Sequence, residues 1–273
     1  VFRAAKAGHT GALDPLATGM LPLCLGEATK FSQFLLDADK RYITCIELGI
    51  RTTTGDKEGE ELSNEPVPQL SDEELEALLD SFRGNIEQVP PMYSAVKKNG
   101  VPLHKLAREG QEVERDSKWI VIDEIEVTRF DSPEIDLTVA CSAGTYVRVL
   151  ADDLGHALGC GAHLGHLRRT QSGPFLIDQS HTEEELQSAA DAGKIEDWLI
   201  DPAAALGFPT LEVAGESRQR LQNGGDLPAG DLHRLQPGSR VSVVDEEGAF
   251  LAVGEIRADH RLWPLRVLPA EPK

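Results

Sequence analysis

The chain has 273 residues, 40% of them hydrophobic and 27% charged, a balance that excludes disordered and fibrous proteins and leaves room for one large domain and a small one. No apolar run is long enough to cross a bilayer as a helix, so no membrane partner is expected. The formal net charge of −19 runs against nucleic acid at first sight, because phosphate contacts by Lys and Arg supply most non-specific affinity; only an uneven distribution of the acid leaves a basic cleft.

The sequence opens on Val1 where an initiator Met would stand, which fits a trimmed or incomplete chain, and it shows no positive segment followed by an apolar core of the kind that directs secretion. Residues 1–7 read as the end of a helix, with Lys6 in its last turn. The stretch Gly8-His9-Thr10-Gly11-Ala12-Leu13-Asp14-Pro15-Leu16-Ala17-Thr18-Gly19-Met20 fits neither a 3.6-residue nor a two-residue apolar period, and its glycines and proline predict a loop. Pro15 biases Asp14 away from the α region, so one carboxylate is displayed on a stiffened turn. Gly26-Glu27-Ala28-Thr29-Lys30-Phe31 follows among irregularly spaced apolar residues, and Lys30 reads equally as a phosphate contact or as a solvated lysine. From 41 to 50, Tyr42, Thr44, Ile46, Leu48 and Ile50 alternate as one face of a strand, where Tyr42 reads first as a core tyrosine. Residues 49–59, with Thr52, Thr54 and Asp56, read as a polar turn.

Residues 71–83 give the clearest helix: Ser71 and Glu74 form a capping box, Leu75, Leu78, Leu79 and Phe82 share a face, and Gly84 can stop it. Residues 56–89 hold eleven acids against Lys57 and Arg83, whereas residues 1–55 hold six bases against five acids. The acid is thus concentrated where it can face solvent away from a neutral-to-basic cleft. Residues 89–115 carry Lys97, Lys98, Lys105 and Arg108 and read as a surface insertion. Two strands, 120–130 and 135–142, form a hairpin through Asp131-Ser132-Pro133. The second leads through Cys141-Ser142-Ala143-Gly144-Thr145-Tyr146-Val147-Arg148 into a helix whose stripe is Val147, Leu150, Ala151, Leu154 and Leu158. Arg148 sits near that helix's start, where the macrodipole disfavours a cation, which suggests an anionic partner.

Beyond Leu167-Arg168-Arg169-Thr170, a second capping box, Thr182 with Glu185, opens a helix to 192 with Gly193 as its stop. Residues 201–209, rich in Ala and Pro, read as the junction to a small all-β unit with strands at 240–244 and 250–256. The four cysteines, Cys24, Cys45, Cys141 and Cys160, are widely spaced, which fits a reducing cytoplasm better than a disulfide framework. His156, Cys160, His163 and His166 lie close together but lack the paired spacing of a structural zinc site, so no metal is expected.

The 8–19 loop, G-H-x-G-x-L-D-P-x-A-T-G, resembles the catalytic loop of the TruB family of tRNA pseudouridine synthases, in which the Asp is essential. Other stretches resemble the family in the same order: G-x-A-T-K-F at 26–31, K-x-Y at 40–42, G-x-x-T-x-T-x-D-x-x-G at 49–59, an RNA-gripping insertion at about 90–116, C-S-x-G-T-Y-I-R at 141–148, with Val147 for the Ile, and L-R-R at 167–169. His104 stands where the family more often has Tyr, and the family's K-P-x-G segment, which precedes the loop, is not in this sequence. The resemblance implies an α+β fold: a catalytic core over residues 1–205, with a mixed, largely antiparallel central sheet flanked by helices, and a small all-β PUA-like RNA-binding domain over 206–273. It also implies isomerisation of uridine 55 in the tRNA T loop to pseudouridine, in the cytoplasm, by a monomer that needs no cofactor and no protein partner.

On this resemblance Asp14, Tyr42 and Arg148 are catalytic. Asp14 acts at C1′ or as a base on the ribose, Arg148 is its partner, and Tyr42 stacks on uracil and can take the C5 proton, with Leu167 on the other side. His9 assists the exchange of bases as the nucleotide is extruded, while Lys30, Lys40, Lys97, Arg108 and Arg168 contact RNA. Such a reaction needs an ionised carboxylate beside the ribose, a hold on the detached uracil and a site closed to water. Two other readings stay open at this level. A guide-RNA-dependent synthase shares the loop, although the small C-terminal domain and the lack of a basic tail speak for a stand-alone enzyme. An RNA-binding or tRNA-folding protein with vestigial catalytic residues is weakened by the joint retention of Asp14, Tyr42 and Arg148. A carboxylate-dependent glycosidase would want a second acid paired with Asp14, and none stands out.

Overall fold

Residues alternating between core and surface build the main sheet, as the two-residue period of a strand requires. The computed structural model describes residues 2–269; Val1 and 270–273 lie outside the described residues. Contacts divide the chain into one unit of Ala12–Leu21 and Asp37–Asp178 and another of Val1–Gly11, Pro22–Leu36 and Gln179–Lys273.

The first unit is built on a seven-stranded sheet. Its strands are β1 (Thr18–Gly19), β2 (Lys40–Leu48), β3 (Gly84–Gln88), β4 (Lys118–Asp131), β5 (Glu134–Cys141), β6 (Ala162–Ser172) and β7 (Phe175–Leu176). The order β7-β6-β2-β5-β4-β3 is antiparallel at every step, and the short β1 adds a parallel pairing to β6. Ile135, Leu137, Val139 and Cys141 of β5 and Ile46 and Leu48 of β2 are buried in one cluster. On that cluster lies α1 (Asp72–Asp80), with Leu75 and Leu79 inward and its N-terminus closed by the Ser71 and Glu74 capping box. Beyond it are α2 (Leu103–Arg108) and α3 (Val147–Ala157). The α3 stripe of Val147, Leu150, Ala151 and Leu154 joins the same cluster. A Cβ at Gly155 would stand 2.2 Å from the Ala162 nitrogen, so only glycine lets α3 lie this close to the start of β6.

In the second unit Ala7–His9 pairs with Leu23–Leu25, then come α4 (Glu183–Asp191), α5 (Pro202–Leu206), β8 (Thr210–Glu212), α6 (Gly215–Gln222), β9 (Leu227–Pro228), β10 (Arg240–Val244), β11 (Phe250–Ile256) and β12 (Arg261–Val267). The five-stranded sheet runs β8-β10-β11-β12-β9. Val241, Val243, Ala252, Ile256 and Leu262 form its core, and Phe31, Leu206, Phe250 and Val253 form a further cluster. The mixed α+β architecture and the C-terminal β sheet agree with the sequence-based expectation.

Several local expectations are corrected. Residues 2–6 form no helix; the chain enters a strand at Ala7, whose pairing with Leu25 overrides the helical preference of alanine. Strand β2 ends at Leu48, because Gly49 takes a φ of 95° and Ile50 opens a separate strand, Ile50–Thr52, paired with Glu61–Asn64. The junction at 201–209 contains α5, whose N-terminus Asp201 caps by accepting from the Ala203 and Ala204 amides at 2.8 and 3.2 Å. The C-terminal β unit also carries a helix, α6. Strand β6, central to the sheet, had no clear sequence signal.

Truncating Leu137, fully buried at the sheet centre, should cost about 2–5 kcal/mol in denaturant unfolding, whereas Leu62→Ala, at a residue 59% exposed, should stay within about 0.5 kcal/mol of the parent. Equal effects would contradict this placement of the core.

Candidate active site

Asp14 projects from the loop between residues 12 and 20, where a turn closes as the Ala17 amide donates to the Asp14 carbonyl at 2.8 Å. Its carboxylate meets Arg148, the second residue of α3, across 134 positions of sequence. Arg148 Nε donates to Oδ2 at 2.8 Å and Nη2 to Oδ1 at 3.0 Å, the fork geometry that matches guanidinium to carboxylate. The same guanidinium donates from Nη1 to the Thr54 carbonyl at 3.0 Å and from Nη2 to the Tyr93 carbonyl at 2.9 Å. The Arg148 side chain is 5% exposed and that of Asp14 35%, so the cation is a buried fixture and the carboxylate is open to an incoming molecule.

Asp56 is the acid that the sequence reading left in a polar turn. It is buried, with its carboxylate 3.9 Å from Arg148 Nε. Thr54 Oγ1 donates to it at 2.6 Å and the Glu58 amide at 3.1 Å, while its turn docks on β6 through Lys57 N to Leu164 O and Leu164 N to Gly55 O. Two carboxylates therefore flank one buried guanidinium, and the 49–59 run is part of the site. Its place in the G-x-x-T-x-T-x-D-x-x-G run is what sets Asp56 apart in sequence from the neighbouring acids; its burial comes from the docking of the turn against β6.

Tyr42 lies on β2 opposite Arg169 of β6. Burial pushes its phenol up to about 12, raised further by Cys141, against a lowering by the charge and hydrogen bond of Arg169. Tyr42 is thus held as the neutral phenol. Leu167, buried on β6, pairs in register with Thr44, two positions along β2 from Tyr42. Lys40 is buried rather than presented to solvent: its ammonium donates to the Ala38 carbonyl, and its pKa is lowered by burial first and by the Arg169 charge second. The cause is its inward position at the start of β2.

Arg168, exposed, alternates with buried Leu167 and Arg169. In the insertion, Lys97 and Arg108 are exposed on a short hairpin and on α2. The insertion is folded: Leu103 is buried, its amide donates to the Val96 carbonyl at 2.7 Å, and Lys98 Nζ donates to the Glu114 carbonyl at 2.7 Å. Tyr93 links this segment to Arg148. His9 and Lys30 belong to the other unit. The His9 ring Nδ1 accepts from the Gly11 amide at 3.3 Å, and Lys30 pairs with Glu27. Among the described residues no group of three or more His, Cys, Asp or Glu could hold a metal ion, and the four cysteines are free thiols.

Sequence families and known structures place this geometry. Residues 1–147 match the family model for the N-terminal domain of TruB family pseudouridylate synthases, residues 148–203 that for the tRNA pseudouridylate synthase B C-terminal domain, and residues 209–268 that for pseudouridine synthase II TruB, C-terminal. The chain is 48% identical over 275 aligned residues to the tRNA pseudouridine synthase B of Stutzerimonas stutzeri, covering 99% of this chain and 89% of that protein. With the enzyme of the same name from Chromobacterium violaceum it shares 47% over 271 residues, covering 98% and 87%. Among solved structures it resembles a chain of a Cbf5-Nop10-Gar1 complex, with a TM-score of 0.74 at 24% identity over 98% of this chain and 78% of that one. It also resembles a chain of an archaeal box H/ACA sRNP Nop10-Cbf5 complex, with a TM-score of 0.68 at 23% identity over 99% and 80%. These structural likenesses concern the fold.

The raised Tyr42 pKa carries a signed consequence. A phenol that loses its proton near 10 when unfolded and near 12 when folded adds stability that is complete below pH 10 and lost as pH rises from 10 to 12, on the order of 2 kcal/mol. Unfolding free energies measured across that window should therefore fall less steeply for Tyr42→Phe than for the parent. Identical slopes would mean that the phenol titrates as it does in water.

Proposed function

This chain belongs to the TruB family of pseudouridylate synthases, and we propose from that premise that its substrate is uridine 55 in the T loop of tRNA, converted to pseudouridine after the nucleotide is swung out of the RNA. It is a tRNA pseudouridine synthase, an isomerase. The observation that carries the residue-level reading is the forked pairing of Arg148 with Asp14, which leaves an aimed, half-open carboxylate on a loop fixed at its base.

Isomerisation breaks the N1–C1′ bond and forms C5–C1′; the proton leaves C5, N1 gains one, and the atoms of uridine and pseudouridine are the same. Asp14 opens this sequence, either by attack at C1′ or by taking a proton from the ribose. Both routes require the ionised form, and both carboxylate oxygens accept from guanidinium in the resting site. Tyr42 offers its ring to the uracil; as a neutral phenol it has no basic oxygen for the C5 proton, so its part here is stacking and the role of C5 base expected from the sequence is not assigned to it. A loosened base held between that ring and Leu167 stays in place while it turns. Unpairing and unstacking the nucleotide cost a few kcal/mol, offset by stacking on the aromatic ring.

Lys97, Arg108 and Arg168, all exposed, are assigned to phosphate contacts, with His9 and Lys30 assisting at the T loop. Residues 1–205 are assigned to catalysis and 206–273 to a PUA-like RNA-binding domain, supported by the C-terminal family model at 209–268. The free thiols fit a cytoplasmic protein, and the chain is assigned as a monomer acting without protein or guide RNA.

Incubation with an unmodified T-arm hairpin, with no other protein or guide RNA, should give pseudouridine at position 55 by chemical mapping. Asp14→Asn should abolish product, a loss of at least about 10³-fold in rate, yet retain RNA binding, since removing a group that acts on the reacting atoms affects chemistry more than affinity. Product from Asp14→Asn at the parent rate would remove Asp14 from the chemistry, and activity only with an added guide RNA would favour the guide-dependent reading.

A further inference from the structure

Arg169 is 1% exposed and takes no part in the pairing between Arg148 and Asp14. From β6 its Nε donates to the Met20 carbonyl at 2.7 Å and its Nη1 to the Ala12 carbonyl at 3.3 Å. The Met20 amide donates back to the Arg169 carbonyl at 2.8 Å, and Arg169 stands opposite Tyr42 in the pairing of β6 with β2. Ala12 and Met20 are the two ends of the loop that carries Asp14. We propose that Arg169 is a positioning residue for the reaction: its guanidinium ties both ends of the Asp14 loop to β6 at the position that faces Tyr42, and so sets the carboxylate and the ring in register with each other.

Burying a guanidinium is costly, and apolar residues of similar volume commonly replace buried ion pairs without loss of stability. A cation at this position, beside the buried ammonium of Lys40, is thus poorly explained by packing. Its donors do account for it. Arginine presents five N–H groups in a rigid planar fork and accepts no hydrogen bond, so the two loop carbonyls are held by one plane. Lysine would keep the charge and lose the plane. The loop's approach is equally specific: at Gly19, where φ is 101°, a Cβ would sit 2.2 Å from the Arg169 carbonyl oxygen. Gly19→Ala therefore pushes the loop off β6, and the Met20 carbonyl away from the guanidinium, while the Arg169 side chain itself is unchanged.

This inference rests on the proposed pseudouridine synthase activity, and its test separates the two. Single-turnover rate constants at saturating enzyme, Kd for the T-arm hairpin and Tm are measured for the parent, Arg169→Lys, Gly19→Ala and Leu137→Val, the last a core variant on β5 that leaves Arg169 and the loop residues unchanged. Displacement of a reacting group by about 1 Å costs on the order of 100-fold in rate, so Arg169→Lys and Gly19→Ala should lose about that factor with Kd close to the parent's. Leu137→Val should keep the parent's rate at a similarly lowered Tm. Parent-like rates in folded Arg169→Lys and Gly19→Ala overturn the inference, as does an equal loss in Leu137→Val, which would assign the effect to general loosening. If Arg169→Lys does not fold, Gly19→Ala decides, and failure of both to fold overturns the inference by making the contact one of structural support alone. A parent protein inactive on the hairpin overturns the activity itself instead.

Discussion

One arginine that must stay charged and one aspartate that must stay accessible share a pair of hydrogen bonds, and the arrangement of the larger unit follows from keeping both conditions at once. Arg148 is almost wholly removed from water, and such a charge is tolerable only if its donors are met. Four are, by the two Asp14 oxygens and the carbonyls of Thr54 and Tyr93. Removing one partner of a buried pair costs roughly 3–5 kcal/mol, because it strands the other. The partly exposed pairing is worth less than its geometry suggests to stability, but it removes rotational freedom from the carboxylate before the substrate arrives, which is where preorganisation matters for rate. The two backbone acceptors come from separate segments, the turn after the Ile50–Thr52 strand and the start of the insertion, so the guanidinium also joins pieces of chain far apart in sequence.

Around that pair the sheet supplies rigidity and the loop supplies access. Strand β6 is the spine: α3 lies on it, the Asp56 turn docks on it, β1 pairs with it, and Leu167 and Arg169 alternate inward along it. Every site element of this unit except the insertion contacts β6 or its neighbour β2. The acidity of the chain has a place in this arrangement. The acids of α1 lie on an exposed helix, where Glu76 pairs with Arg83, whereas the site holds buried cations. A protein of net charge −19 thus keeps part of its acid on a solvated helix.

Much of this was legible in the sequence, for physical reasons that differ from residue to residue. The capping boxes at Ser71 and Thr182 and the alternation of β2 and β5 are local signals, and they appear where the spacing places them. Asp14 and Arg148 were legible separately, one from a Pro-stiffened loop and the other from a cation at the wrong end of a helix. Strand β6 was not, because buried Arg169 and the glycine at 165 break the apolar alternation on which a strand is recognised. Its inward face carries a charge that only the fold can satisfy. Asp56 was visible only as a letter of the 49–59 run: among eleven acids in one segment, its burial beside Arg148 depends on tertiary partners. Lys40 misled in the opposite direction, since a lysine is expected in solvent and this one turns inward. Helix α5 was hidden by composition, as Ala and Pro next to a capping Asp suit both a linker and a helix start.

The central claim is that the carboxylate held by Arg148 meets the sugar of an extruded uridine. A crystal structure of the Asp14→Asn protein with an unmodified T-arm hairpin tests it most directly. The account predicts the target uridine turned out of the RNA, its C1′ about 3–3.5 Å from the side chain at position 14, with the Tyr42 ring against the base. A uridine still stacked in the hairpin, or seated on a surface away from Arg148, would contradict it.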